Sequence, residues 1–231
     1  GLNVYHEPPV IPGNPLPSVI SALFLIILVI EVIFQLGARG LVGGPEAVGW
    51  RLNAMQTYGF FGVVAEVMWE SGTWPLEHVI RFVSYLFVHV SFTHMLFAGV
   101  MLLALGKLVT EVFGTGATLT VFVCSGIGGA LAITVLTDGR EPLIGAFPAV
   151  YGLIGAYTWI LWRGLSLMGE NQARAFTLIG ILMGIQLIFG IFFGTSNDWL
   201  ADLAGFGVGF ALSFFVSPGG WTRFLRRIRQ G

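Results

Sequence analysis

The chain has 231 residues, of which 55% are hydrophobic and 10% are charged, with a formal net charge of -1. This composition excludes a water-soluble globule of this length, so the sequence predicts an integral membrane protein with room for about six helices of about 20 residues each. The near-neutral charge, with no basic block before the C-terminus, gives no reason to expect a nucleic-acid partner.

Proline dominates the first 17 residues and blocks helix formation there, so residues 1–17 are predicted to form an irregular cytoplasmic arm. Hydropathy then predicts an all-α membrane domain over residues 18–216, followed by a basic interfacial cytoplasmic tail over 217–231. The six predicted spans are 18–36, 80–105, 108–136, 146–162, 175–193 and 199–216.

The connection between the first two spans, residues 37–78, mixes glycine, charged residues and the tryptophans Trp50, Trp69 and Trp74 without a clean period. Indole rings favour the headgroup depth of a bilayer. The sequence therefore predicts a long interfacial loop.

Basic residues are distributed unevenly between the two membrane faces. The face of the termini holds Lys107, Arg163, Arg174, Arg223, Arg226, Arg227 and Arg229. The opposite face holds Arg39, Arg51, Arg81 and Arg140, mostly in the long loop, where charge counts less. Both termini are therefore predicted to be cytoplasmic. We favour a plain positive-inside anchor for the tail over docking to anionic lipids or a partner.

Glycines recur four residues apart in the last two spans, as Gly180 and Gly184, Gly190 and Gly194, and Gly205 and Gly209. This spacing lets helix backbones approach closely in lipid. The pair in span six is predicted to face its own bundle. The pairs in span five are open to two interpretations, internal packing or contact with a partner helix.

Motifs in three spans resemble those of the rhomboid family of intramembrane serine proteases. Span two carries Arg81, His89, His94 and Ala98 at the positions of the family's Arg, two His and Asn. The segment from Gly145 to Gly152 is similar to Gly-x-Ser-Gly-x-x-Tyr-x, and Ala201 to Gly209 is similar to Ala-His-x-x-Gly-x-x-x-Gly. The resemblance implies a six-helix rhomboid-like bundle.

The same resemblance implies that the catalytic residues are replaced. Phe147 stands at the position of the nucleophile, Asp202 at that of the base, Ala98 at that of the oxyanion Asn, and Pro148, without an N–H, follows the nucleophile position. His94 and Tyr151 match the retained family positions. Because acyl transfer needs a nucleophile, a base and oxyanion donors, the resemblance predicts a pseudoprotease without cofactor.

Polar residues inside the spans leave alternatives open. Asp202 is expected either to hold His94 in a residual cluster or to sit at the wet N-terminal end of its helix. His89 and His94, about 140° apart on a helix, are not expected to bind a metal. Ser125 is a remote candidate for a substitute nucleophile. Glu31 is a candidate contact for a partner or a neighbouring helix.

The function predicted from the resemblance is binding of transmembrane segments of partner proteins, as an adaptor or scaffold, through the side opening between helices two and five. The candidate partner surface in span five comprises Gly180, Gly184, Gly190, Gly194, Phe189 and Phe193. An accessory subunit of a larger membrane complex is the alternative, and an active protease is a remote one. The compact form resembles bacterial members, so we expect a bacterial inner membrane.

Overall fold

A computed structural model of the protein describes residues 15–194, 196–220, 226 and 228–230. Almost all of the predicted N-terminal arm, and about half of the predicted basic tail, lie outside the described residues. The first described helix begins at Ser18 and the last long one ends at Val216.

The described residues form a helical bundle without a regular sheet. Ten α-helices follow one another in the described chain: α1 Ser18–Ala38, α2 Trp50–Tyr58, α3 Gly62–Ser71, α4 Leu76–Val79, α5 Arg81–Ser84, α6 Phe92–Phe113, α7 Thr115–Leu136, α8 Phe147–Leu167, α9 Thr177–Phe193 and α10 Asp198–Val216. Short 3₁₀ turns cover Pro45–Gly49, Tyr85–Phe87 and Gln172–Phe176. The all-α prediction is confirmed.

Helix α8 is the centre of the bundle. Of the six long helices described, the other five are long and apolar enough to cross a membrane. Every residue of α8 from Pro148 to Ala156 is buried, mainly against α10, α7 and α6. Because its neighbours shield it from lipid, this helix tolerates the polar side chains that lower its hydropathy.

Two glycines let α10 approach α8 closely. A Cβ atom at Gly205 would collide with the carbonyl of Pro148, and one at Gly209 with the carbonyl of Gly152. The predicted internal packing of this glycine pair is therefore confirmed, and it is the close helix contact that small residues permit in lipid.

The predicted boundaries of spans two and three were wrong. Residues 80–91 form α5, a 3₁₀ turn and an extended stretch, and α6 begins only after Ser91, whose Oγ accepts the N–H of His94 at 3.1 Å. Gly114, with φ +85°, lets the chain turn directly from α6 into α7. Lys107 consequently lies within α6 rather than in a loop, and Arg163 lies within α8.

The long loop between α1 and α6 is more ordered than its sequence suggested. It contains α2 and α3, and Phe60 exchanges two backbone hydrogen bonds with Leu143, at 3.0 and 2.8 Å. Arg81 donates from Nη1 to the carbonyls of Gln56 and Gly59, at 2.7 and 3.0 Å. These bonds tie the loop to α5 and to the segment that leads into α8.

Helix α9 lies at the edge of the bundle. Ile179 is its one buried residue among those described, and its contacts are mainly with α8 and the preceding 3₁₀ turn. Few contacts fix it against the core, so α9 forms a loosely held wall beside α8.

Candidate functional site

A cavity of about 790 Å³ lies between α6, α8, α9 and α10. Its walls are mostly apolar and include Phe97 and Met101 from α6 and Leu182 and Phe189 from α9. The polar side chains in its lining include His94, Tyr151, Gln186 and Asp202. A concave apolar space with a few convergent polar groups is the usual form of a binding site.

Phe147 opens α8 at the edge of this cavity. Its ring stacks on the His94 imidazole, with centroids 5.3 Å apart and an interplanar angle of 27°. Pro148 follows in the first turn of the helix, where a missing N–H leaves no helical bond unmade. The predicted nucleophile position thus holds an aromatic stack.

The two histidines are held by backbone hydrogen bonds rather than by each other. His94 accepts the N–H of Val90 on Nδ1 at 3.2 Å, and His89 accepts the N–H of Ala146 on Nε2 at 3.1 Å. His89 precedes α6, so the predicted helical angle between the two rings does not apply. Their ring centroids are 5.0 Å apart.

The His89 imidazole is neutral at physiological pH. Burial, with smaller effects from His94 and Arg51, lowers the pKa of His89 from 6.5 to about 3. A neutral ring keeps Nε2 available as the acceptor for Ala146, so burial and the hydrogen bond support the same protonation state.

Asp202 is joined to Gln186 rather than to His94. The Gln186 amide donates from Nε2 to Asp202 Oδ2 at 3.1 Å and also to the hydroxyl of Tyr151. Asp202 is only 5% exposed, so it does not sit at a wet helix end. Both predicted settings of Asp202 were therefore wrong, although His94 and Asp202 do line the same cavity.

Sequence reasoning did not connect Gln186 with Asp202 or Tyr151. The bonds of Gln186 join three helices, since Gln186 lies in α9, Tyr151 in α8 and Asp202 in α10. A polar residue in an otherwise apolar span was the available signal, because such groups seek hydrogen-bond partners in a bilayer.

Ala98 and Ser125 lie away from the cavity. Both are completely buried, and neither belongs to its lining. The Ser125 hydroxyl packs against the backbone of Gly152 and has no hydrogen-bond partner among the described residues. Ser125 is therefore in the wrong place to act as a nucleophile in this cavity. Within the described residues, no group of three or more His, Cys, Asp and Glu side chains is arranged to hold a metal.

Glu31 contacts the long loop. Its carboxylate, 2% exposed, accepts from both guanidinium nitrogens of Arg51, at 2.7 and 2.8 Å, and from Gln35 at 3.0 Å. Arg51 also donates to the carbonyl of His89 at 2.7 Å. Sequence reasoning missed Arg51 as the partner, although an acid within a span requires a cation nearby.

The predicted span-five surface divides into two parts. Phe189, Gly190, Phe193 and Gly194 line the cavity. Gly180 and Gly184 do not line it, and a Cβ atom on either would meet no other atom within 4 Å. The structure thus brings the cavity-lining residues of α9 together with Tyr151 and Asp202. Gly180 and Gly184 lie outside this cavity.

Comparison with known proteins gives a consistent result. Residues 76–219, more than half of the chain, match the family profile "Rhomboid domain". RHOMBOID-like protein 5 of Arabidopsis thaliana is 29% identical over 138 residues, covering 59% of this chain and 43% of its own length. YdcA of Bacillus subtilis is 28% identical over 138 residues, covering 58% and 65%. Rhomboid-like protease 3 of Toxoplasma gondii is 30% identical over 135 residues, covering 57% and 49%. The chain thus matches about two fifths to two thirds of the length of these relatives.

Proposed function

The chain belongs to the rhomboid family, and from that premise we propose that it binds transmembrane segments of partner proteins without cutting them, as an adaptor or scaffold. The observation that carries this proposal is the Phe147–His94 stack beside an apolar cavity of about 790 Å³. The stack occupies the nucleophile position, while the cavity remains large enough to take side chains of another helix.

Four substitutions argue against proteolysis. Phe147 has no group that attacks a carbonyl, and Pro148 has no N–H for an oxyanion. Asp202 stands in place of the base and is hydrogen-bonded to Gln186, and Ala98 replaces the oxyanion Asn and is buried. Because these groups act together in acyl transfer, their combined replacement supports a pseudoprotease.

The cavity and α9 support binding. Large aromatic side chains of α9, including Phe189 and Phe193, line the cavity and are also 58% and 79% exposed. In lipid, helix association depends on packing and on interhelical hydrogen bonds. The loosely held α9 and the apolar cavity offer a packing surface to a partner helix. Tyr151, Gln186 and Asp202 offer groups for interhelical hydrogen bonds.

Site-specific photocrosslinking tests this proposal. We replace Phe189 with a benzophenone amino acid in proteoliposomes that contain a single-span peptide. Val135 of α7, which is 78% exposed and outside the cavity lining, is the matched control position. We expect the peptide to crosslink at position 189 severalfold more than at position 135. Equal crosslinking at both positions would mean random contact in the bilayer and would refute the proposal.

A stable accessory subunit is the second candidate function. Gly180 and Gly184 favour it, because they present a backbone surface on α9 outside the cavity with no neighbour within 4 Å. Purification in mild detergent distinguishes a stable subunit from an adaptor. A stoichiometric co-purifying complex that Gly180→Leu disrupts supports the subunit, whereas substoichiometric clients that survive this change support the adaptor.

We further propose that the protein resides in a bacterial inner membrane with both termini cytoplasmic. The excess of Lys and Arg on the side of the termini supports this orientation. Cysteine accessibility checks it, since a cysteine introduced at exposed Asp138 should react with an impermeant maleimide from the periplasmic side.

A further inference from the structure

The cavity described above has an unbalanced set of charged side chains. Asp198 and Asp202 both line it, and no lysine or arginine occurs among the described residues of its lining. Its other titratable groups are His94 and Tyr151. A carboxylate within a membrane domain is costly unless a cation or several hydrogen bonds stabilise it.

Asp202 is only partly satisfied by the protein itself. Its Oδ2 accepts one hydrogen bond from the neutral Gln186 amide, whereas its Oδ1 accepts none from the described residues. The residue is 95% buried, being 5% exposed, and it lines the cavity. The unused oxygen is therefore offered to whatever occupies the cavity.

We propose that the transmembrane segment bound in this cavity carries a lysine or arginine whose cation pairs with Asp202. This inference rests on the proposed function and specifies the class of segment that is bound. Charge complementarity favours such a partner over a wholly apolar one, because a nearby cation stabilises the ionised form of Asp202, for which the described residues supply one hydrogen bond, from Gln186.

The position of Asp202 also fixes the depth of the basic residue. Asp202 lies four residues after Asp198, the first residue of α10, which is about 6 Å along the helix axis. The partner's lysine or arginine therefore lies about one turn inside the membrane, on the face where α10 begins. Its aliphatic stem can pack on the apolar wall while its charged end reaches Asp202.

Paired peptides test this inference. Two Leu/Ala peptides of about 20 residues, anchored by terminal tryptophans, carry either lysine or methionine about one turn from one end. Fluorescence energy transfer measures their binding to the protein in phosphatidylcholine vesicles, whose headgroups carry no primary ammonium group. Asp202→Asn is the test variant. Asp138→Asn is the matched control, since Asp138 is an exposed acid in the loop between α7 and α8, on the same membrane face and outside the cavity lining.

We expect the wild type and Asp138→Asn to bind the lysine peptide about tenfold more tightly than the methionine peptide. Asp202→Asn should lose that preference and bind the two peptides about equally. Equal binding of both peptides by the wild type, or a preference that survives in Asp202→Asn, would overturn the inference and leave the proposed function standing. Absence of binding by either peptide would refute both.

Discussion

His89 links its protonation to the start of the central helix. Its Nε2 accepts the Ala146 N–H just before α8, and burial lowers its pKa to about 3. In the unfolded chain the pKa of histidine is near 6.5. Between these two values the unfolded form binds the extra proton, so falling pH favours unfolding.

The pH dependence of stability measures this link. Below pH 6.5, His89 should lower the free energy of unfolding of the wild type by about 1.4 kcal/mol for each unit that the pH falls. This slope should fade as the pH approaches the folded-state pKa of His89, near 3. His89→Gln keeps an acceptor but has no titrating group, so its stability should fall less between pH 7 and pH 4. Thermal unfolding midpoints in detergent check this. If the midpoints of both proteins fall equally between pH 7 and pH 4, protonation of His89 does not cause the loss of stability.

Among the secondary-structure elements, α1 and the long loop share one buried ion pair in addition to apolar packing. Arg51 binds both oxygens of Glu31, which is buried, and the carbonyl of His89. Arg51→Met leaves the Glu31 carboxylate buried without its cation, which should cost about 3–5 kcal/mol.

The partly exposed pair Lys107 and Glu111, 4.0 Å apart within α6, is the matched control. Lys107→Met should cost less than about 1 kcal/mol, because exposed pairs contribute little. Adding Glu31→Leu to Arg51→Met should recover part of the loss. If both single variants have the same unfolding free energy in detergent, the Glu31–Arg51 pair does not hold the loop.

Glycine substitutions separate the inner and outer helix faces. Gly205→Ala should destabilise the bundle by about 1–3 kcal/mol, because the added Cβ collides with the Pro148 carbonyl. Gly180→Ala meets open space in α9 and should change stability by less than about 1 kcal/mol. Thermal unfolding midpoints of the two variants, measured side by side, check this. A larger loss of stability for Gly180→Ala than for Gly205→Ala would contradict the assignment of Gly205 to a packed face and Gly180 to an open one.

Hydropathy predicted the spans well where an apolar run coincides with a helix, as in α1 and α10. It failed at residues 80–91, where a partly apolar stretch forms short turns, because Ser91 caps α6 and tertiary contacts of the loop override hydropathy. It also failed at Gly114, since a tight turn made by one glycine interrupts no apolar run. Apolar content indicates burial in lipid or protein and does not determine the backbone path.

At the scale of the whole molecule, the sequence predicted which residues surround the cavity better than how they interact. His94, Phe147, Tyr151 and Asp202 were placed through motif resemblance, and all four line the cavity. The bond between Asp202 and Gln186 joins two consecutive helices, and its existence depends on how α9 lies beside α10. Motif spacing along one helix contains no information about that placement.

The molecule as a whole combines a rigid centre with a loosely held wall. Helix α8 is enclosed by α6, α7 and α10, whereas α9 contributes one buried residue within the described part of the chain. The least stable parts of a fold supply the elements that move on binding. This arrangement suits a protein that admits a foreign helix beside α9 while its core stays intact.

The mass of a peptide captured at α9 tests the central claim most directly. A single-span peptide is incubated for hours with the protein in proteoliposomes and is then crosslinked from position 189. Mass spectrometry compares the wild-type background with Phe147→Ser. Binding without cleavage predicts that full-length peptide is captured in both, because one restored hydroxyl supplies neither base nor oxyanion donor. Truncated peptide in either background would contradict the account.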